Sequence, residues 1–378
     1  MPPRLVSFRV LRFFFVLIAV SQLAVEGSDF DKARFAPYGS WYDSVGESVQ
    51  DSAEAFEVWW LTPDQARVAR GHQKLPLSGI HFALDPGHVG GAWAEVEGRH
   101  FRIYPEDHAV REGELVLEVA FYLEAHLREL GAEVSLLRQN SNPVNTRPPL
   151  DYLAEAMERV QRPGKFSVAS CLEYARSIRT EILYLSGVVE ELTERARLVN
   201  GQIRPDALIS LHINAGRWPL EPDGTERVKL LDSNHCHVLI FGCVSDAEFS
   251  SPSQRRQILK KMANGSASIE IELGDALGKA LGQAMELPPS EYNGKNAVRL
   301  AGATPYLWAR NLMLLRSVEC PVVLLEPFLA NSVSGYARLQ QSIEIRKAGG
   351  QPGKDDLLVR YADAVVEGLL RVYGPKGP

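Results

Sequence analysis

The sequence contains little that would suggest nucleic-acid binding or a disulfide framework. Acidic residues outnumber basic ones, 47 to 41, for a formal net charge of −6, whereas a nucleic-acid-binding face needs clustered basic residues. No internal repeat or low-complexity tract interrupts the 378 residues, a length suited to one large domain or two small ones. The four cysteines form no Cys-x-x-Cys pair, and we interpret them mainly as small apolar side chains, although pairing in an exported protein stays open: Cys171, Cys236, Cys243 and Cys320.

Long apolar runs are missing after the N-terminus. Residues 1–27 place three arginines before an apolar run at 13–20, and small and polar residues follow. This order is typical of a secretory signal peptide, and the run is shorter than the about 20 residues that span a membrane. We predict cleavage near 24–27, export to the periplasm or cell envelope, and no membrane span afterwards. An uncleaved membrane anchor is the alternative.

From residue 79 onward, apolar strands alternate with amphipathic helices. The pattern predicts strands at 79–85, 132–138, 207–215, 237–243 and 321–327, and helices at 112–131, about 182–200, 273–285 and 357–373. Strands separated by helices indicate a mostly parallel sheet that is covered on both faces. Ligands of such sheets bind beyond the carboxyl ends of the strands.

Three predicted strands end in a residue that can bind a metal or move a proton. His88 follows the first strand directly after an Asp-Pro-Gly turn, His212 lies near the end of "ALISLHINA", and Glu326 ends "PVVLLE". If these strands are parallel neighbours, their side chains reach one crevice. Glu112 opens the helix after the first strand, so we expect it on the same rim.

Two imidazoles and a carboxylate form a ligand set that suits catalytic zinc, which keeps a fourth position open. We therefore predict that His88, Glu112 and His212 bind one Zn²⁺ and that Glu326 is the catalytic base. Taken singly, these three ligands have ordinary explanations. His88 could simply belong to a turn, Glu112 could be an acid at a helix start that favours the helix dipole, and His212 could be a core histidine. Glu326 is harder to explain otherwise, because an acid is costly to bury without a partner.

Other polar side chains leave alternatives open. His235 and His237 are two residues apart on one predicted strand, so they share a face and are either a second metal site or surface or interface histidines. Four further residues, three in the connection before that helix and one in its first turn, compete with Glu112 as ligands: Glu106, Asp107, His108 and Glu114.

Four stretches carry a resemblance to a known family: "IHFALDPGHVGG", "EGELVLEVAFYLEAHL", "ARLVNGQIRPDALISLHINAG" and "LLRSVECPVVLLEPFLANS". In this order they resemble the zinc-dependent N-acetylmuramoyl-L-alanine amidases of the Amidase_3 type. The resemblance covers about 80–373, and it departs from the family pattern at Phe328, one place earlier than the usual phenylalanine. It implies an α/β fold, a three-layer αβα sandwich with a mixed, mostly parallel central sheet.

By this resemblance the zinc ligands map onto His88, Glu112 and His212, and the catalytic glutamate maps onto Glu326. The implied reaction is hydrolysis of the amide between N-acetylmuramic acid and the L-alanine of the peptidoglycan stem peptide. A zinc hydrolase of another cell-envelope amide and a non-catalytic peptidoglycan-binding relative are the alternatives. Peptidoglycan is the expected partner, and nucleic acid is not expected.

The expected organisation is a signal peptide at 1–27, an N-terminal extension at 28–78 and a catalytic domain at 79–374 with insertions near 140–190 and 216–272. The proline-containing stretch 140–180 is expected to be irregular. Some relatives carry a helix that covers the active site until a partner displaces it. The polar segment 246–272 is a candidate for such a lid, with Glu270 and Glu272 as zinc-blocking carboxylates, and an activator protein is then a candidate partner.

Overall fold

A computed structural model describes residues 57–165, 167–219 and 228–376. The predicted signal peptide, and residues 28–56 of the predicted extension, lie outside this part of the chain. The strands are β1 His81–Pro86, β2 His100–Phe101, β3 Val110–Arg111, β4 Glu133–Leu136, β5 Ala207–Leu211, β6 His237–Ile240, β7 Val298–Arg299, β8 Leu307–Ala309 and β9 Val322–Glu326.

The helices fill the connections between these strands. They are α1 Pro63–Arg70, α2 Trp93–Val96, α3 Glu112–Glu129, α4 Leu153–Arg159, α5 Val168–Tyr184, α6 Glu190–Leu198, α7 Asp246–Ser250, α8 Pro252–Ala263, α9 Ala267–Met285, α10 Met313–Ser317, α11 Val333–Lys347 and α12 Leu357–Tyr373. A 3₁₀ turn at Pro149–Tyr152 and π turns at Leu185–Val189 and Val199–Ile203 adjoin α4 and α6. None of the helices in the described ranges has both the length and the apolarity that crossing a membrane requires.

Seven strands form the central sheet in the order β4-β1-β5-β9-β6-β8-β7. The first four are mutually parallel, β6 runs antiparallel to β9, β8 is parallel to β6, and β7 is antiparallel to β8. Every residue of β1, β5 and β6 is buried, as expected of strands covered on both faces. The structure therefore confirms the predicted class, a mixed and mostly parallel sheet flanked by helices.

The two faces of the sheet meet different helices. On one face, side chains of β6 and β8 meet the glycine-bearing surface of α9, where Gly274 lies against Leu307 and Ile240. Side chains alternate along a strand, so Asp85 of β1 and Leu324 of β9 point to the other face. There Asp85 meets Arg195 of α6. The candidate site described below lies at the carboxyl ends of β1, β5 and β9.

The prediction of an irregular stretch at 140–180 was wrong. Helix α4 and most of α5 lie within it. Pro149 occupies the first position of the 3₁₀ turn, where its missing N–H costs no hydrogen bond. Pro163 lies in the connection between the two helices, so the prolines mark helix boundaries and do not exclude helices.

The lid hypothesis for 246–272 is also wrong. Because β6 runs antiparallel to β9, the last residue of β6 lies near the start of β9. The chain therefore leaves β6 at the end of the sheet opposite Glu326. In α8, the Lys261 ammonium donates to the carbonyl oxygens of Val318 and Cys320, which precede β9. Segment 246–272 therefore packs at the end of the sheet opposite Glu326. Because it is not a lid, it no longer supports the expectation of an activator protein.

Both proposed blocking carboxylates lie away from the site. Glu270 is fully buried, forms an ion pair with Lys261 at 2.7 Å, and accepts from the N–H of Val322 at 3.4 Å. Val322 begins β9 and Glu326 ends it, a separation of roughly 13 Å at the rise of an extended strand. Glu272 is exposed two residues further along α9.

Lys261→Met tests the buried ion pair. The substitution leaves the Glu270 carboxylate buried without the ammonium, a change that costs about 3–5 kcal/mol. Urea unfolding should show this loss. Lys260→Met is the matched control, because the neighbouring Lys260–Glu319 pair is partly exposed and such pairs contribute up to about 1 kcal/mol. Equal losses in the two variants would contradict the pairing.

Candidate active site

The turn after β1 holds His88 in a conformation that few side chains adopt. His88 has a φ of +54°, in the left-handed region that non-glycine residues rarely occupy. Arg195 donates to the carbonyl oxygens of His88 at 2.8 Å and of Pro86 at 3.0 Å. Arg138 donates to the carbonyl oxygens of Pro86 at 3.0 Å and of Gly87 at 3.2 Å. Two guanidinium groups therefore hold this turn.

Arg195 is itself held by two buried carboxylates. It lies 2.8 Å from Asp85 and 2.8 Å from Glu191, and all three side chains are at most 2% exposed. Burial lowers the pKa of Arg195, but Asp85 and Glu191 outweigh it and the net shift is upward. Ser210 donates to the second oxygen of Asp85 at 2.6 Å. Both oxygens of the aspartate in the Asp-Pro-Gly-His motif are therefore engaged, and through Arg195 this residue supports the turn.

Glu112, at the start of α3, joins the two histidines. Its Oε1 accepts from the backbone N–H of Ile213 at 3.0 Å and lies 3.1 Å from His212 Nδ1, and its Oε2 lies 3.5 Å from His88 Nε2. The two imidazole centroids are 4.9 Å apart. One ligand atom from each residue lies within 4.8 Å of the others, and no other such group of His, Cys, Asp or Glu occurs in the described ranges.

This arrangement fits the donor set and spacing of a zinc site. Nitrogen and oxygen donors at about 2.0–2.2 Å from a tetrahedral zinc lie about 3.4 Å from one another. The observed separations are 3.5 Å from His88 to Oε2 of Glu112 and 3.1 Å from His212 to Oε1, and one atom from each residue lies within 4.8 Å of the others. Burial raises the pKa of Glu112, but His88 and His212 outweigh it and hold the pKa at about 2. The carboxylate is therefore ionised, as a metal ligand must be.

Glu326 lies beside this group at the end of β9. Its neighbour Leu325 is paired with Leu211, so Glu326 lies next to His212 across the sheet. Its Oε2 is buried and has no hydrogen-bond partner among the described residues. Burial raises the pKa of Glu326 to about 8, with an opposing effect of His212 and a further increase from Glu112. This carboxyl group is thus able to hold a proton near neutral pH.

Glu97 is a site residue that sequence reasoning missed. Its Oε2 accepts from the N–H of Val89 at 2.9 Å and lies 3.3 Å from His88 Nδ1, and its side chain is only 7% exposed. A carboxylate commonly orients the second ring nitrogen of a metal-binding histidine. Glu97 directly follows the four-residue helix α2, and no spacing rule in the sequence marks such a short element.

The competing ligand candidates lie elsewhere. Asp107 accepts from the hydroxyl of Tyr336 at 2.6 Å, and His108 contacts Glu344 at 2.6 Å. Glu114 accepts from the N–H of Gly91 at 3.1 Å. Glu106 is exposed in the loop between β2 and β3. The structure brings none of these four side chains into the group formed by His88, Glu112 and His212.

The second histidine pair does not complete a metal site in the described part of the chain. The rings of His235 and His237 are 6.0 Å apart, and no third ligand from the described residues joins them. His237 is not a surface residue either, since it is 2% exposed and its Nε2 lies 2.9 Å from the hydroxyl of Tyr292. It is the partner of Glu326 in the β6–β9 register.

Gly87→Ala tests the close packing of this site. A Cβ at Gly87 would lie 2.4 Å from two ring atoms of His212, so the imidazole must shift from its present position beside Glu112. We expect zinc affinity to fall by at least about tenfold, as for other disturbances of ligand orientation, measured by competition with a chromogenic chelator. Gly201→Ala is the control, because its Cβ meets nothing within 4 Å. Unchanged zinc affinity in Gly87→Ala would contradict the described packing.

Comparisons with known proteins found one family and several similar solved structures. The family model Amidase_3, N-acetylmuramoyl-L-alanine amidase, matches residues 82–349, more than half of the chain. Among solved structures, the chain is similar to the N-acetylmuramyl-L-alanine amidase Ami1 from Mycobacterium smegmatis, at 19% identity over 79% of this chain and 98% of that one, with a TM-score of 0.43. No curated protein matches the chain.

Two further solved structures show similar coverage. The CwlD amidase from Clostridioides difficile, solved in complex with the GerS lipoprotein, is 13% identical over 78% of this chain and 98% of that one, with a TM-score of 0.40. The amidase AmiC2 of Nostoc punctiforme is 14% identical over 78% of this chain and 97% of that one, with a TM-score of 0.39. The extent of the family match decides the assignment: the chain belongs to the Amidase_3 family of N-acetylmuramoyl-L-alanine amidases.

Proposed function

We propose that this protein is an exported, zinc-dependent peptidoglycan amidase that hydrolyses the amide between N-acetylmuramic acid and the L-alanine of the stem peptide. The observation that carries the proposal is the convergence of His88, Glu112 and His212, with ligand atoms within 4.8 Å of one another, beside Glu326. These three residues would hold one Zn²⁺. When bound, zinc would supply Lewis-acid polarisation of the scissile carbonyl and would acidify water.

Glu326 supplies the proton transfers. As a carboxylate it takes the proton of the attacking water, and as a carboxylic acid it returns that proton to the leaving amine of L-alanine. Its raised pKa, about 8 because of burial, suits the second step, since an ordinary glutamic acid holds a proton poorly at neutral pH. Its Oε2 has no hydrogen-bond partner among the described residues.

The remaining chain is consistent with an exported single catalytic domain. Peptidoglycan lies outside the cytoplasm, so a signal peptide at 1–27 would deliver the enzyme to its substrate. We propose residues 79–374 as the catalytic domain. The described end of the 28–78 extension packs on it, because Trp59 Nε1 donates to the carbonyl oxygen of Pro205 at 3.1 Å and Leu77 is fully buried.

Glu326→Gln tests the proton-transfer role. The amide keeps the shape of the side chain but cannot carry the proton, so kcat for release of peptides with an N-terminal L-alanine should fall about 10²- to 10⁴-fold. Zinc content, measured by inductively coupled plasma mass spectrometry, should not change. Glu129→Gln, at an exposed position near the end of α3, should retain full activity. Retained activity in Glu326→Gln would contradict the assignment.

Glu97→Gln tests the orientation of His88. Losing the carboxylate charge beside Nδ1 should weaken zinc binding about 10- to 100-fold, measured by chelator competition. Glu95→Gln lies two residues away on an exposed position of α2 and serves as the matched control. If both variants bind zinc equally to the parent, Glu97 has no role in holding the ligand.

A further inference from the structure

Arg99 lies in the short connection between α2 and β2, beside the proposed zinc ligand Glu112. Its N–H donates to the carbonyl oxygen of Ala94 at 2.7 Å, and its carbonyl oxygen accepts from the N–H of Glu112 at 3.3 Å. Its Nη1 lies 3.8 Å from Oε2 of Glu112. The same connection supplies Glu97 to His88. One short segment therefore brings a charged side chain to each of these two proposed ligands.

The guanidinium of Arg99 differs from those of Arg138 and Arg195, which hold the turn after β1 through its carbonyl oxygens. The Arg99 side chain donates no hydrogen bond to any residue in the described ranges. Within those ranges, no carboxylate other than Glu112 lies within 4 Å of it. The side chain is 37% exposed, so its N–H donors are accessible from solvent. Arg99 is therefore held by its backbone and keeps its donors free.

Arg99 and Glu112 line one small cavity. Its volume is about 20 Å³, and its other walls are mostly apolar side chains such as Phe101 and Ile213. A cavity of this volume holds about one water-sized group. Apolar walls keep water away and so strengthen a contact between opposite charges. A negatively charged oxygen at this position would be costly without a cation, and Arg99 supplies that cation.

The charge of Arg99 also reaches Glu326. Burial raises the pKa of Glu326 to about 8, and His212 and Arg99 oppose that increase. Arg99 is thus near both Glu112 and Glu326. Hydrolysis requires the scissile carbonyl to lie between the metal ligands and the residue that transfers the proton, so Arg99 lies close to the position of that carbonyl.

We propose that Arg99 is a further catalytic residue, which donates hydrogen bonds to the oxyanion that forms at the scissile carbonyl. The inference rests on the proposed amidase function. The water oxygen bonds to the carbonyl carbon, one water proton passes to Glu326, and the π pair of the C=O bond moves onto the carbonyl oxygen. The C–N bond then breaks with its electron pair on nitrogen, the C=O bond re-forms, and the proton passes from Glu326 to the amine.

A guanidinium suits the oxyanion because it stays protonated and presents several N–H donors in one plane. Donors directed at a charge that develops during the reaction stabilise the transition state more than the substrate. Glu112 does not prevent this role, because as a proposed zinc ligand it would share its charge with the metal. The Arg99 guanidinium is then able to bind a second anion.

The kinetic test is Arg99→Gln in the zinc-loaded full chain. Loss of an oxyanion donor should lower kcat for peptide release about 10²- to 10³-fold and change KM less than about threefold. Arg99→Lys should recover part of kcat, because it keeps the charge. Arg102→Gln is the control, since this nearby exposed guanidinium donates to the carbonyl oxygen of Pro105 at 3.3 Å. An unchanged kcat in Arg99→Gln would overturn the inference.

Zinc affinity separates catalysis from mere positioning of Glu112. Removing a positive charge beside a ligand does not oppose the binding of a cation, so Arg99→Gln should bind zinc at least as tightly as the parent in chelator competition. A loss as large as that expected for Glu97→Gln would mean that Arg99 acts only by orienting Glu112, and it would contradict the catalytic role.

A binding measurement separates this inference from the proposed reaction. Two analogues of N-acetylmuramoyl-L-alanine are titrated calorimetrically into the zinc-loaded proteins: an anionic phosphinate in place of the scissile amide, and a neutral ketomethylene. Arg99→Gln should weaken phosphinate binding about 10- to 100-fold and ketomethylene binding less than about threefold. This result supports the oxyanion contact even if the parent releases no peptide, which would reject the amidase function alone. Equal weakening of both analogues would overturn the inference.

Discussion

The site depends on one buried guanidinium. Arg195 joins Asp85 on β1, Glu191 on its own helix and the carbonyl oxygen of His88. Helix α6 and the end of β1 with its turn therefore meet at one cation that is 1% exposed. Removing one member of such a network leaves a buried charge without compensation, which is far more costly than losing a surface pair.

Arg138 extends this support to the second ligand. It donates to the carbonyl oxygens of Gly87, next to His88, and of Gly113, next to Glu112. The turn after β1 and the first turn of α3 thus share one cation. Glu112 in turn accepts from the N–H of Ile213, next to His212. Each ligand is held through the backbone of its neighbour, so the three side chains have little freedom to separate.

The two carboxyl groups of the site differ because their surroundings differ. Glu112 faces His88 and His212, and its pKa is about 2 in spite of burial. Oε2 of Glu326 is buried without a hydrogen-bond partner among the described residues, and burial raises the pKa of Glu326 to about 8. Environments that separate the pKa values of two acids also separate their roles. One acid is suited to hold a cation, and the other is suited to exchange a proton.

Sequence patterns predicted the parallel strands and the residues that follow them, because buried strands are apolar runs and polar side chains at their ends stand out. No sequence pattern indicated the direction of β6. Because β6 is antiparallel to β9, segment 246–272 lies at the end of the sheet opposite Glu326. Glu97 and Tyr292 lie in connections whose paths are decided by tertiary packing. Their proximity to His88 and His237 was therefore not readable from spacing.

The most direct measurement is anomalous X-ray diffraction at the zinc absorption edge, from crystals of the mature protein purified without chelators. The account predicts one anomalous peak per chain, about 2.0–2.2 Å from one nitrogen of His88, one nitrogen of His212 and a carboxylate oxygen of Glu112, with Glu326 nearby but not bound. A peak at other residues, or zinc-supplemented crystals with no peak between these three side chains, would contradict it.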